Sequence, residues 1–68
     1  MIEIGDMIQY CALYTFHTYI VKDIYEHDGT TKVALINECN RIVHKTVKDI
    51  MNDNGYSIYR PVHKVQMA

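Results

Sequence analysis

The sequence predicts a mainly β domain, five short strands curled into a small barrel, with one helical turn before the last strand. Three observations carry that expectation. Apolar and polar side chains alternate with a period of two along most of the chain, the spacing of half-buried strands. Clusters of Gly, Asn and Asp punctuate the alternation at residues 5–6, 28–29, 37–40 and 52–55, where turns form most easily. Both parities of the second and third strands also carry apolar groups. A flat sheet would leave one of those faces wet, whereas a curled one hides one face and lets loops cover part of the other.

The elements follow in order. Gly5-Asp6 is a turn-like entry to a strand over residues 6–13, with Ile8, Tyr10 and Ala12 on one face and Met7, Gln9, Cys11 and Leu13 on the other. Residues 12–17 read as a loop. Residues 18–26 form the strand richest in β-branched and aromatic types. In it Tyr19, Val21 and Tyr25 share one parity while Ile20 and Ile24 share the other, which predicts a bend or bulge near Lys22-Asp23. Asp28-Gly29 between two β-rich runs signals a hairpin. Residues 31–37 are its partner, with Val33 and Leu35 on one side. Asn residues favour a turn over 37–40, and residues 41–47 make a further strand. Val47, Ile50 and Met51 sit at helical spacing, but six residues are few for an isolated helix, so a 3₁₀ turn or a short helical cap is expected. Residues 56–60 form the last strand, which Pro61 ends or places at an edge. The domain spans 1–62, and 63–68 read as a frayed tail.

This order resembles the small barrels of the SH3-like class. Gly5-Asp6-Met7-Ile8-Gln9-Tyr10 matches the opening strand, residues 12–17 the first long loop, residues 19–43 the three-strand meander, and Val47-Lys48-Asp49-Ile50 the 3₁₀ turn before the fifth strand. The resemblance covers about residues 3–62 and is one of pattern. The acidic-aromatic loop, the Trp and the Pro-Tyr pair of the peptide-binding members are absent, so the resemblance does not imply recognition of proline motifs.

Composition bounds the function. A chain of 68 residues and 8.0 kDa holds one small domain, too small for a Rossmann unit with a partner domain. Apolar types at 49% and charged types at 22% argue against disorder. The net charge of −1 makes no field that gathers nucleic acid or lipid. The halves differ. Residues 1–30 set Glu3, Asp6, Asp23, Glu26 and Asp28 against Lys22, net −4. Residues 31–68 set Lys32, Arg41, Lys45, Lys48, Arg60 and Lys64 against Glu38, Asp49 and Asp53, net +3. No basic n-region with an apolar run opens the chain, and its longest apolar stretch is Val33-Ala34-Leu35-Ile36. The expectation is a cytoplasmic protein with no membrane contact. Cys11 and Cys39 are then expected to be free, partly buried thiols.

No catalytic constellation stands out. Cys39 and His44, five apart on a strand, would lie on opposite faces and roughly 17 Å apart. Cys11, His17, Cys39 and His44 have the ligand types of tetrahedral zinc but not its tight spacings, and no metal or cofactor is expected. Glu26, Asp28 and Asp23 fall at a solvated hairpin, and no glycine-rich phosphate loop is present. The expectation is a non-enzymatic protein.

Two binding surfaces remain. Six Tyr and one Phe cannot all hide in so small a core, and Tyr suits interfaces because it buries a large area at low rotamer cost. Tyr14, Phe16, Tyr19 and Tyr25 are the candidate protein-binding residues, for a host protein or for a second copy in a homo-oligomer. The alternative is nucleic acid held on a basic strand by Arg41, His44, Lys45 and Lys48, with Tyr56 and Tyr59 stacking on bases. The lone small domain and a composition rich in Ile, Asn, Lys and Tyr fit a phage or mobile-element accessory protein.

Overall fold

The computed structural model describes residues 2–52 and 55–59. The chain is mainly β. Strands β1 (Met7–Ala12), β2 (Thr15–His27), β3 (Thr30–Asn37) and β4 (Ile42–Thr46) precede helix α1 (Val47–Asn52), and β5 (Tyr56–Tyr59) follows it. All neighbouring strands are antiparallel, in the order β4-β3-β2-β1-β5. Pro61 and the expected tail over 63–68 lie outside the described residues.

The sheet is not closed into a barrel, which corrects the expected architecture. β4 and β5 stand at opposite edges, and α1, the segment that joins them in the chain, docks on β3 and β4 where closure would need a strand. The short helix caps the core with Ile50, which is buried. It is a short α-helix, the helical form of the turn expected there. Thr46 caps it: its Oγ1 accepts the Asp49 N–H at 3.0 Å, satisfying one of the orphan donors of the first turn.

The core is Ile2, Ile8, Val21, Val33, Leu35 and Ile50. The bulge between Val21 and Asp23 explains the conflicting parities of β2. One extra residue lets Tyr19 and Val21 face the core before it and Ile24 face the core after it. Tyr25 is thereby turned to the outer face, where it pairs with Lys32. The entry to β1 is the expected turn. Asp6 N–H donates to the Glu3 carbonyl at 3.1 Å around Gly5, whose φ of 91° only glycine adopts easily. Asp6 is buried, and its Oδ2 accepts the Glu3 N–H at 2.8 Å.

Two turns also match expectation. Asp28 and Gly29 join β2 to β3 with φ of 52° and 76°, the left-handed pair that a two-residue hairpin requires. Between β3 and β4, Asn37 Oδ1 accepts the N–H groups of both Cys39 and Arg41 at 2.9 Å, and Asn40 takes φ of 61°. The first connection differs. Instead of a loop over 12–17, Leu13 and Tyr14 alone turn the chain, and β2 starts at Thr15. The Thr15–His17 stretch pairs with Tyr10–Ala12, so its β-forming residues extend the ladder rather than interrupt it.

Candidate binding surfaces

The tip of the β1–β2 hairpin is the first surface. Leu13 and Tyr14 have φ of 49° and 69°. Side chains with a Cβ pay roughly 1–2 kcal/mol per residue in this region, which is why Asn and Gly normally fill it. Here two large apolar residues occupy it and gain nothing from the core: Leu13 is 91% exposed and Tyr14 fully exposed. Phe16 follows at 62%, opposite Cys11 on the outer face. The tip is thus an exposed apolar knob held by a strained turn.

The second surface is a cleft of about 880 Å³ behind that tip, between the strands and α1. Tyr10, His17 and Tyr19 line it from β1 and β2, Tyr56 from β5, Lys45 from β4, and Asp49 and Asn52 from α1. Tyr10 and Tyr56 are directly opposed in register, with ring centroids 4.4 Å apart at 47°. Such a cross-strand aromatic pair contributes both packing and a stiff wall.

A third feature crosses the outer face. The register sets Tyr59, Met7, Ile20, Ile36 and Ile42 in one row through all five strands. Met7, Ile20 and Ile36 are half-buried, and Ile42 and Tyr59 are exposed. This row holds the apolar parity that the sequence assigned to the second face.

The residues expected to bind protein do not form one patch. Tyr14 and Phe16 share the tip, Tyr19 lines the cleft, and Tyr25 stands on the outer face with its hydroxyl 2.7 Å from His44 Nδ1. The basic run divides by strand parity. Val43 and Lys45 point to the core side, where Val43 packs, while His44 points outward. Arg41 and Lys48 are exposed beside them. Cys11 and Cys39 are free, but both are exposed rather than partly buried. Cys39 sits in the β3–β4 turn, away from any strand ladder with His44. Among the described residues no three His, Cys, Asp or Glu side chains gather where a metal ion could sit, and no helix is long and apolar enough to cross a membrane.

Sequence reasoning missed the cleft because it joins residues as distant as His17 and Tyr56, brought together only by β1 lying between β2 and β5. Alternation within β1 did place Tyr10 on the face of Ile8, and that was the available signal. Comparison with protein-family models, curated proteins and solved structures finds no match to this chain. The functional argument therefore rests on these surfaces.

Proposed function

We propose that this chain is a small non-enzymatic module that binds another protein, and that the hairpin tip of Leu13, Tyr14 and Phe16 is the part that enters its partner. One observation carries the proposal: two large apolar side chains sit fully in water on a turn whose backbone they destabilise. Strain that folding does not reward is most often retained for a site of action. Tyr19 and the other residues of the cleft lie behind the tip, placed to receive a group from the same partner.

The small size and the exposed rings suit an accessory protein that covers part of a larger host protein, as phage or mobile-element proteins do. Kinship with the SH3-like barrels belongs to the same proposal. The β2–β3–β4 meander and the contact of β1 with β5 favour it, and the tight turn at Leu13-Tyr14, where that class carries a long loop, weighs against it.

The test uses Leu13→Asn with Tyr14→Gly, a pair that keeps and improves the turn while removing the knob. Proteins captured from lysate on the immobilised wild-type chain are identified by mass spectrometry, and the affinity of the purified partner is then measured. A hot spot at the tip predicts a loss of roughly thirty-fold or more in the double variant. Equal affinity for the two chains sinks the proposal.

A second reading has its own observation. The cleft gathers three tyrosine rings with Lys45, the components of a site for single-stranded nucleic acid. It predicts salt-sensitive gel retardation of an oligonucleotide that weakens in Lys45→Ala and is indifferent to Tyr14→Ala.

A further inference from the structure

The edge of β4 combines backbone groups turned away from the sheet with a run of basic side chains. β3 and β4 pair without a register shift from Lys32–Thr46 to Ile36–Ile42. Just beyond, the Asn37 N–H donates to the Arg41 carbonyl at 2.9 Å, so Asn37 and Arg41 form a hydrogen-bonded pair. In an antiparallel ladder such pairs alternate with non-bonded ones. Leu35–Val43 and Val33–Lys45 are then the bonded pairs, and Ile42, His44 and Thr46 belong to the pairs between. Their N–H groups, with the carbonyls of Ile42 and His44, turn away from β3. Among the described residues no strand pairs on that side, because β4 is the edge of the sheet. Ile42 and His44 are exposed and Thr46 is half-buried.

The side chains along the edge select what can use it. Arg41, Lys45 and Lys48 are exposed, Lys45 on the core side of the strand where Asp49 also lines the cleft, and His44 points to the outer face. No carboxylate lies in the chain between Glu38 and Asp49, which bracket the strand. Edge lysines commonly guard a sheet against pairing with itself. That guard operates here. Antiparallel pairing of two β4 strands centred on Val43 would set Arg41 against Lys45. Like charges directly opposite are unfavourable. The same charges attract a strand of opposite sign, since electrostatic complementarity chooses partners by admitting one and rejecting another.

We propose that the β4 edge is a strand-addition site for an extended acidic peptide segment of a partner protein. Backbone bonds to Ile42 and His44 supply register, and carboxylates beside Arg41, Lys45 and Lys48 supply selectivity. The site is independent of the hairpin tip.

The probe is an acetylated heptapeptide of alternating glutamate and valine, added at millimolar concentration to the isotope-labelled chain. Amide hydrogen exchange at Ile42 and His44 is expected to slow at least tenfold, with Val43 and Lys45 nearly unchanged because they are already bonded within the sheet. The same peptide with lysine for glutamate is expected to have no effect on the wild-type chain and to protect Arg41→Glu/Lys45→Glu instead. Tyr14→Ala is expected to bind the acidic peptide normally, which separates this site from the tip. Absent protection, or equal protection by both peptides, overturns the proposal. So does protection that grows with the concentration of the chain alone, which would assign the edge to a second copy. Protection by a single-stranded oligonucleotide but not by the peptide would assign it to nucleic acid and also overturns it.

Discussion

Two hairpins share one backbone and opposite chemistry. The β2–β3 hairpin turns on Asp28 and Gly29 with φ of 52° and 76°; the β1–β2 hairpin turns on Leu13 and Tyr14 with φ of 49° and 69°. The first uses residues that tolerate the left-handed region, and its strands carry Val21, Val33 and Leu35 into the core. The second uses residues that resist that region and puts them in water. Turn geometry is therefore not what separates them. The β2–β3 hairpin is consistent at every level from turn to core, while the β1–β2 tip breaks the local rule and is held by pairing along Tyr10–Ala12 with Thr15–His17.

The two leucines of the chain give the widest separation. Leu35 has no exposed surface and Leu13 is 91% exposed. Leu35→Ala should cost about 2–5 kcal/mol, lost burial plus a cavity. A domain of this size has a total stability on the order of 3–10 kcal/mol, so the variant should be substantially unfolded at 37 °C. Leu13→Ala should shift stability by less than about 0.5 kcal/mol. Thermal and urea unfolding followed by circular dichroism would compare them. Similar losses for both would show that the tip is packed, and the contrast between the hairpins would collapse.

The turns themselves come next in size, with opposite signs. A Cβ at Gly29 would meet nothing within 4 Å, so Gly29→Ala tests conformation alone. It should destabilise by about 1–2 kcal/mol, a fall in melting temperature of roughly 4–8 °C per kcal/mol. Leu13→Asn with Tyr14→Gly should raise stability by about 1 kcal/mol, because residues suited to the turn replace residues strained in it. A melting temperature that drops in the double variant would mean that the knob stabilises the fold and has no need of a partner to explain it.

What the sequence made legible follows the same division. Asp28-Gly29, the Asn37 turn and the bulge near Lys22-Asp23 carry local signals, because the residue types that favour those conformations are present. Leu13-Tyr14 carries none, so a loop was expected where a two-residue turn and the first residues of β2 stand. The run Thr15-Phe16-His17-Thr18 was the overlooked evidence for a longer strand. The short helix was legible too, from the spacing of Val47, Ile50 and Met51, and the Thr46 cap three residues before Asp49 supports it. Barrel closure failed as an expectation because alternation reports which face of a strand is apolar and says nothing about what covers it. A six-residue helix, a half-buried row on the outer face and an open sheet edge met that need together. The candidate residues were legible singly. Their grouping depended on strand order and on the bulge, which put Tyr19 and Tyr25 on opposite faces.

The smallest effect sharpens the comparison on the β2–β3 side. Beyond the bulge, the Tyr25 hydroxyl and His44 Nδ1 share a hydrogen bond at 2.7 Å, with the rings edge to face at 5.8 Å. The bond is solvent-exposed, and water can replace either partner. Tyr25→Phe should therefore cost less than about 0.5 kcal/mol, and most of the ring contact should survive. Pairing it with His44→Ala in a double-mutant cycle isolates the coupling. A coupling above about 1 kcal/mol would make the pair a strut between β2 and β4. The outer face of this hairpin would then be structural at Tyr25, as its core is at Val33 and Leu35.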